Sequence, residues 1–124
     1  MFDVANKTKS KLPCLPFCKI KNLVLGEKYE LSLVFIGSTR SKKLNKQYRE
    51  IDKPTNILTF PFDKNGGEIF IDLARAKSDA PKFDLSPKSF VGLLFIHGLL
   101  HLKGFSHGST MEKEENKLCK KFSI

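Results

Sequence analysis

Apolar and polar positions along the chain change period several times, and each change marks an element. Tyr29 to Ile36 (Tyr-Glu-Leu-Ser-Leu-Val-Phe-Ile) reads as a strand. It ends at Gly37, after which Ser38 or Thr39 can cap a helix running to about Ile51, with Leu44, Tyr48 and Ile51 on one face. That helix must be over before Pro54, because a proline disfavours helical geometry in the residue before it. Asn56 to Phe60 is the next strand, closed by Pro61, and Asp63-Lys64-Asn65-Gly66-Gly67 is a turn signal. Glu68 to Asp72 then forms a strand expected to pair with the previous one as a hairpin. Phe2 to Asn6 adds a short opening strand.

After a polar stretch, Ser86 caps a helix that has Pro87 at its first position. This helix is apolar nearly all round, through Phe90, Val91, Leu93, Leu94, Phe95 and Ile96, and such a helix belongs in the interior. A last amphipathic helix runs from Thr110 to about Phe122, with Met111, Leu118 and Phe122 as packing residues. The predicted fold class is α+β, with helices packed on a small mixed four-stranded sheet in mostly sequential order. No repeat, low-complexity tract or dividing linker interrupts residues 1–124, which read as a single domain.

Composition bears this out and adds a partner. At 124 residues, 40% hydrophobic with eleven Phe, the chain can bury one core and is short for two. The formal charge of +9 is uneven, with 12 basic against 5 acidic side chains in residues 1–60 and 10 against 8 in residues 61–124. A positive field of that kind favours a polyanion such as nucleic acid, although a solvated lysine-rich face reads the same way. Residues 1–7 lack the apolar core of a signal peptide, and the run from Phe90 to Leu100 is too short to span a bilayer. The expectation is a cytoplasmic protein with no membrane partner. Three cysteines, an odd number, fit reduced thiols. Cys14 and Cys18 are spaced for a ligand pair, but Pro13 and Pro16 argue against a regular helix there, so a buried or incidental role is expected.

The three histidines, His97, His101 and His107, are all the chain has, and they fall within eleven residues. Positions four apart lie about 40° apart around a helix, so His97 and His101 point the same way. Continued helix would carry His107 about 9 Å along the axis and round to another face. Gly104 resolves this, because a left-handed glycine there reverses the chain and returns His107 towards the other two. Three neutral imidazoles leave a fourth tetrahedral position open, the pattern of a catalytic zinc rather than a closed structural one. Two unrelated helix-face histidines and a third are the bland alternative. The pattern His-x-x-x-His-x-x-Gly-x-x-His follows the metzincin layout, but Gly98 stands where zinc peptidases carry the glutamate that activates water. Peptide hydrolysis is thereby disfavoured.

Leu44-Asn45-Lys46-Gln47-Tyr48-Arg49-Glu50-Ile51-Asp52-Lys53-Pro54-Thr55-Asn56-Ile57-Leu58-Thr59-Phe60-Pro61 and the segment from His97 to His107 together resemble the YbeY family of bacterial endoribonucleases and ribosomal RNA maturation factors. Glu68-Ile69-Phe70-Ile71 falls where that family has a Gly-Asp-Ile strand, and Met111-Glu112 to Glu115 resembles its last helix. The resemblance implies a zincin-like metal-binding helix and one zinc ion held by His97, His101 and His107. It also implies cleavage of single-stranded ribosomal RNA, in processing of the small-subunit 3′ end and in ribosome quality control. Small-subunit ribosomal proteins and a ribosome-associated GTPase are the further partners it implies. Arg49 matches the family's functional arginine. The chain departs from the family at Asn56 and Glu68, where Asp is usual, and at Ser106, where an Asp before the third histidine would orient an imidazole. The region between Asp72 and Ser86 also reads as short.

Chemically, zinc supplies a Lewis acid, and a guanidinium binds phosphoryl oxygens through paired hydrogen bonds that lysine cannot copy. Arg49 ends its helix just before the turn into the Asn56 strand, within reach of the metal. Read alone it is a surface arginine that suits a helix C-terminus. Lys42, Lys43, Lys46 and Lys53 surround it in sequence and would line a phosphate track, though each alone reads as a solvated lysine. The general base stays open between zinc hydroxide, Glu68 and the RNA's own 2′-hydroxyl. Two other classes stay open: a non-catalytic ribosome assembly factor with a structural zinc, and a metal-dependent hydrolase of another substrate.

Overall fold

The computed structural model describes residues 2–124. In chain order the elements are β1 (Phe2–Asn6), α1 (Phe17–Leu25), β2 (Glu30–Ile36), α2 (Ser38–Arg49), β3 (Ile57–Asp63) and β4 (Gly66–Asp72). There follow α3 (Leu73–Asp79), a 3-10 turn (Ala80–Phe83), α4 (Pro87–Lys103) and α5 (Ser109–Lys121). No single helix among the described residues is long and apolar enough to cross a membrane.

One mixed sheet has the strand order β1-β2-β4-β3. β1, β2 and β4 are parallel, and β3 runs antiparallel to β4. The sequence reading places the strands in mostly sequential order; instead β4 inserts between β2 and β3. The end of β2 explains the insertion. Leu33 to Ile36 is buried on both faces, as a parallel central strand is, and needs a neighbour on each side. The β3–β4 hairpin forms as predicted, with Asp63 paired to Gly66 across a tight turn. β3 runs on through Pro61, which the sequence reading takes as its end. β3 is an edge strand, where a missing N–H costs little, and its register slips between Pro61 and Asp63.

Two helices escape the sequence reading. Pro13 and Pro16 read as breakers, yet Pro16 is the N-cap of α1, and its carbonyl accepts the Ile20 N–H at 3.1 Å. Proline is harmful inside a helix and harmless at its start. Cys18 on α1 and Cys14 before it are exposed rather than buried, and all three cysteines are free. The polar stretch after β4 holds α3 and the 3-10 turn, which together run from Leu73 to Phe83.

The larger core lies between one sheet face and helices α1, α4 and α5. Leu33, Phe35, Ile69 and Ile71 meet Phe95, Leu99 and Leu100 there. α4 packs so closely that a Cβ added at Gly98 would stand 3.0 Å from Ile69 Cδ1 and 3.1 Å from Ile57 Cδ1 and Thr59 Cγ2. The opposite face carries a smaller core of Val34, Ile36, Leu58 and Phe70, with Leu44 of α2 against it. The predicted apolar face of α2 is only partly in use. Tyr48 sets its ring against Phe60 at 4.9 Å but stays exposed, and exposed Ile51 lies beyond the helix, which ends at Arg49 with Glu50 left-handed.

What α2 buries instead is polar. Ser41 donates to Asp72 Oδ2 at 2.8 Å and accepts from the Thr55 N–H at 3.3 Å. Asn45 Nδ2 donates to the Lys53 carbonyl at 2.9 Å. Asp72, fully buried, also caps α3 by accepting from the Arg75 N–H at 2.9 Å. These bonds tie the loop between α2 and β3 to α2 and, through Ser41, to the end of β4. A second carboxylate, Asp79 at the end of α3, accepts from Arg75 Nε, Lys82 Nζ and the Asn56 side-chain amide at 3.3, 3.2 and 3.1 Å. Burial raises its pKa, but Lys82, Arg75 and Asn56 outweigh burial and hold it below the ordinary 3.8.

Two expected outcomes follow from this packing. Gly98→Glu forces a carboxylate between α4 and the sheet, and urea unfolding should show a loss of about 3 kcal/mol or more; a midpoint near wild type would mean that the contact yields. Because the folded pKa of Asp79 lies below the unfolded one, its stabilisation is present above pH 3.8 and lost as pH falls through the folded value. The stability gap between wild type and Asp79→Asn should therefore narrow on acidification below that pH, and a gap constant from pH 6 to pH 3 would refute the assignment.

Candidate functional site

α4 begins as its sequence requires. Ser86 Oγ accepts the Ser89 N–H at 3.2 Å, and Pro87 occupies the first position, where no N–H is needed. It ends at Gly104, whose φ of 111° only glycine adopts without penalty. The Gly104 N–H donates to the His101 carbonyl and the Phe105 N–H to the Leu100 carbonyl, both at 3.0 Å, which is the bond pair of a Schellman motif. The chain reverses there and brings His107 back over the end of the helix.

The three rings meet. Centroids are 4.6 Å apart for His97 and His101, 4.5 Å for His101 and His107, and 5.1 Å for His97 and His107. One nitrogen from each lies within 4.8 Å of the others, and His97 Nε2 stands 3.1 Å from His101 Nε2. Ligand atoms of a tetrahedral ion held at about 2.0–2.1 Å are separated by about 3.3 Å, so the rings are spaced as a metal requires. The protonation of His101 fits as well. Burial first, and then the neighbouring His97 and His107, depress the pKa of His101, which favours the neutral imidazole that ligates. His107 is exposed and leaves the cluster open to solvent on its side.

An orienting carboxylate is present, though not where the sequence reading looks for one. Ser106 makes no side-chain hydrogen bond among the described residues. Instead Glu115 of α5 places Oε1 at 2.8 Å from His97 Nδ1. With the Nδ1 proton committed to Glu115, the lone pair of His97 is on Nε2, facing His101. The signal for Glu115 lay in its spacing. Met111, Glu115 and Leu118 recur at helical intervals, which puts a carboxylate on the packing face of α5.

Arg49, the last residue of α2, lines a hollow of about 310 Å³ together with His97, His101, His107, Thr55 and Asn56. Its guanidinium is exposed and takes part in none of the ion pairs among the described residues. Lys42 and Lys46 turn towards Asp52 at 3.9 Å instead, and neither they nor Lys43 and Lys53 line this hollow. The expected lysine track is therefore not part of its wall. Glu68 is also displaced from the site. Strand residues alternate, so Glu68 shares its sheet face with Phe70 and Asp72, on the α2 side and away from α4. That placement removes it as a general base.

Comparison with known proteins agrees with the fold and the motifs. Residues 12–123 match the family model described as Endoribonuclease YbeY. A relative of that name from Aliarcobacter butzleri is 35% identical over 134 aligned residues, covering 100% of this chain and 94% of its own. One from Nautilia profundicola is 32% identical, covering 100% and 93%. Among solved structures, TM1509 from Thermotoga maritima superposes with a TM-score of 0.73 at 22% identity, over 98% of this chain and 89% of that one, and so shares the fold. By the extent of these matches, this chain belongs to the YbeY endoribonuclease family.

Proposed function

We propose that the protein is a zinc-dependent endoribonuclease that cuts single-stranded segments of ribosomal RNA. Its place would be cytoplasmic, in maturation of the small-subunit rRNA 3′ end and in ribosome quality control, alongside small-subunit ribosomal proteins and a ribosome-associated GTPase. The names of its relatives support the RNA-cleaving part of this reading. The observation that carries it is the meeting of a free guanidinium and three imidazoles around one polar hollow.

In this reading Arg49 holds the scissile phosphate by paired hydrogen bonds to its non-bridging oxygens and offsets the charge that grows there. Thr55 and Asn56, anchored through Ser41 and Asp79, shape the wall beside it. His97, His101 and His107 would hold the metal, with Glu115 fixing the tautomer of His97. When bound, zinc supplies Lewis acidity at the phosphoryl group. No carboxylate lines the polar hollow, so a carboxylate base has no part in the scheme.

Purified wild type should cut single-stranded RNA, and Arg49→Ala should keep its zinc while losing about 10²- to 10³-fold in rate. His101→Ala should lose the zinc itself, measured by elemental analysis. Arg49→Ala cutting at full rate would end its assigned role; equal background cutting by all three, with one zinc in wild type, would favour a structural metal and an assembly factor. Glu115→Gln should weaken zinc affinity by about 10- to 100-fold, read by chelator competition, and an unchanged affinity would dismiss the orienting role.

A further inference from the structure

The histidine cluster stands between two hollows, and the chemistry above uses only one. The other, about 320 Å³, adjoins it through Asn56, Ile57, His97 and His107. Its walls are largely apolar, with Phe90, Leu93, Leu94 and Met111 among them, and Phe83 stands at its lip. Phe83 ends the 3-10 turn and is 59% exposed. The ring is nevertheless held in place: it lies within 19° of parallel to buried Phe90, with centroids 5.0 Å apart. Such a ring loses little freedom when something flat is laid against it.

Charge decides what that something is. Glu112 and Glu115 line this hollow, and no Lys or Arg does. Glu115 is committed to His97, while Glu112 is exposed and forms no ion pair among the described residues. Away from the histidines, Glu112 disfavours a phosphate on this rim, while Arg49 attracts one on the other side. A nucleobase is neutral and flat, with edge N–H groups that a carboxylate accepts. We infer that the Phe83 hollow is a nucleobase subsite: an unpaired base of the RNA whose phosphate lies at Arg49 stacks on Phe83, on the far side of the histidine cluster. The inference rests on the RNA-cleaving reading for its ligand and adds the feature by which a single strand is chosen. A base within a duplex is already stacked on both faces and is not free to enter.

The test uses single-stranded RNA with 2-aminopurine moved position by position along the strand, followed by stopped flow so that binding is read before cutting. Wild type and Phe83→Tyr should change the emission of the fluorophore at one position, as the base leaves its neighbours for the ring. Phe83→Ala, folded by circular dichroism, should lose that change and bind roughly 5- to 150-fold more weakly, the span expected for one base–aromatic stack. An abasic sugar at the same position should weaken binding to wild type by a similar factor. A change that persists in Phe83→Ala, or none at any position, overturns the subsite. Cleavage is scored separately: RNA that shows the Phe83-dependent change but is never cut overturns the endonuclease and supports the subsite. RNA cut equally well by Phe83→Ala with its emission change intact does the reverse.

Discussion

A helix that is apolar on nearly every side has to be covered on nearly every side, and that requirement on α4 organises the molecule. The sheet takes one flank through Ile57, Ile69 and Ile71, and α1 and α5 contribute Ile20, Val24, Met111 and Leu118 around the rest. Burying one such aliphatic or aromatic side chain stabilises by about 1.5–3 kcal/mol, and α4 buries seven of them, against five in β2. Gly98 sets how near the sheet can come, and it occupies the position where a peptidase would need a glutamate. The packing that builds the core and the absence of that carboxylate are therefore one fact. Both ends of α4 emerge from cover, and the last turn carries His101, one turn beyond half-buried His97.

The surroundings of that turn are held by buried polar bonds rather than by apolar contact. Asp72 joins β4, α2 and the start of α3 in one carboxylate, while Asp79 reaches the Asn56 amide at the edge of the site. Each is costly to bury without partners and specific once satisfied. They fix a seven-residue loop that would otherwise wander, and with it the distance between Arg49 and the histidines.

Legibility in the sequence followed range. Ser86, Pro87 and Gly104 announce the bounds of α4 locally, and the reversal that returns His107 is a property of one glycine. The hairpin was equally plain from Asp63 to Gly67. Strand order was not, since only the tertiary need of β2 for a second neighbour inserts β4 beside it. α1 is hidden because a proline breaks a helix interior but not its start, and local sequence does not show which of the two Pro16 meets. α3 was hidden because seven largely polar residues show no period, and its cap, Asp72, read as the end of a strand. At the site, the histidine triple and Arg49 were legible from motif and spacing. Glu115 offers only its helical spacing, with a partner 18 residues away on another helix, and Phe83 stands in a 3-10 turn that shows no period of its own.

That difference in range has a consequence for how the protein comes into being. The imidazoles lie within one short stretch of chain and meet through a local reversal, which closes at small entropic cost and early in folding. Arg49 joins them only after α2 has packed on a sheet whose central pairing, β2 with β4, spans distant parts of the chain. A full-length molecule that is only partly folded thus gathers its three imidazoles before Arg49 joins them. On the proposed activity, such a molecule captures an ion before it can hold the RNA around it.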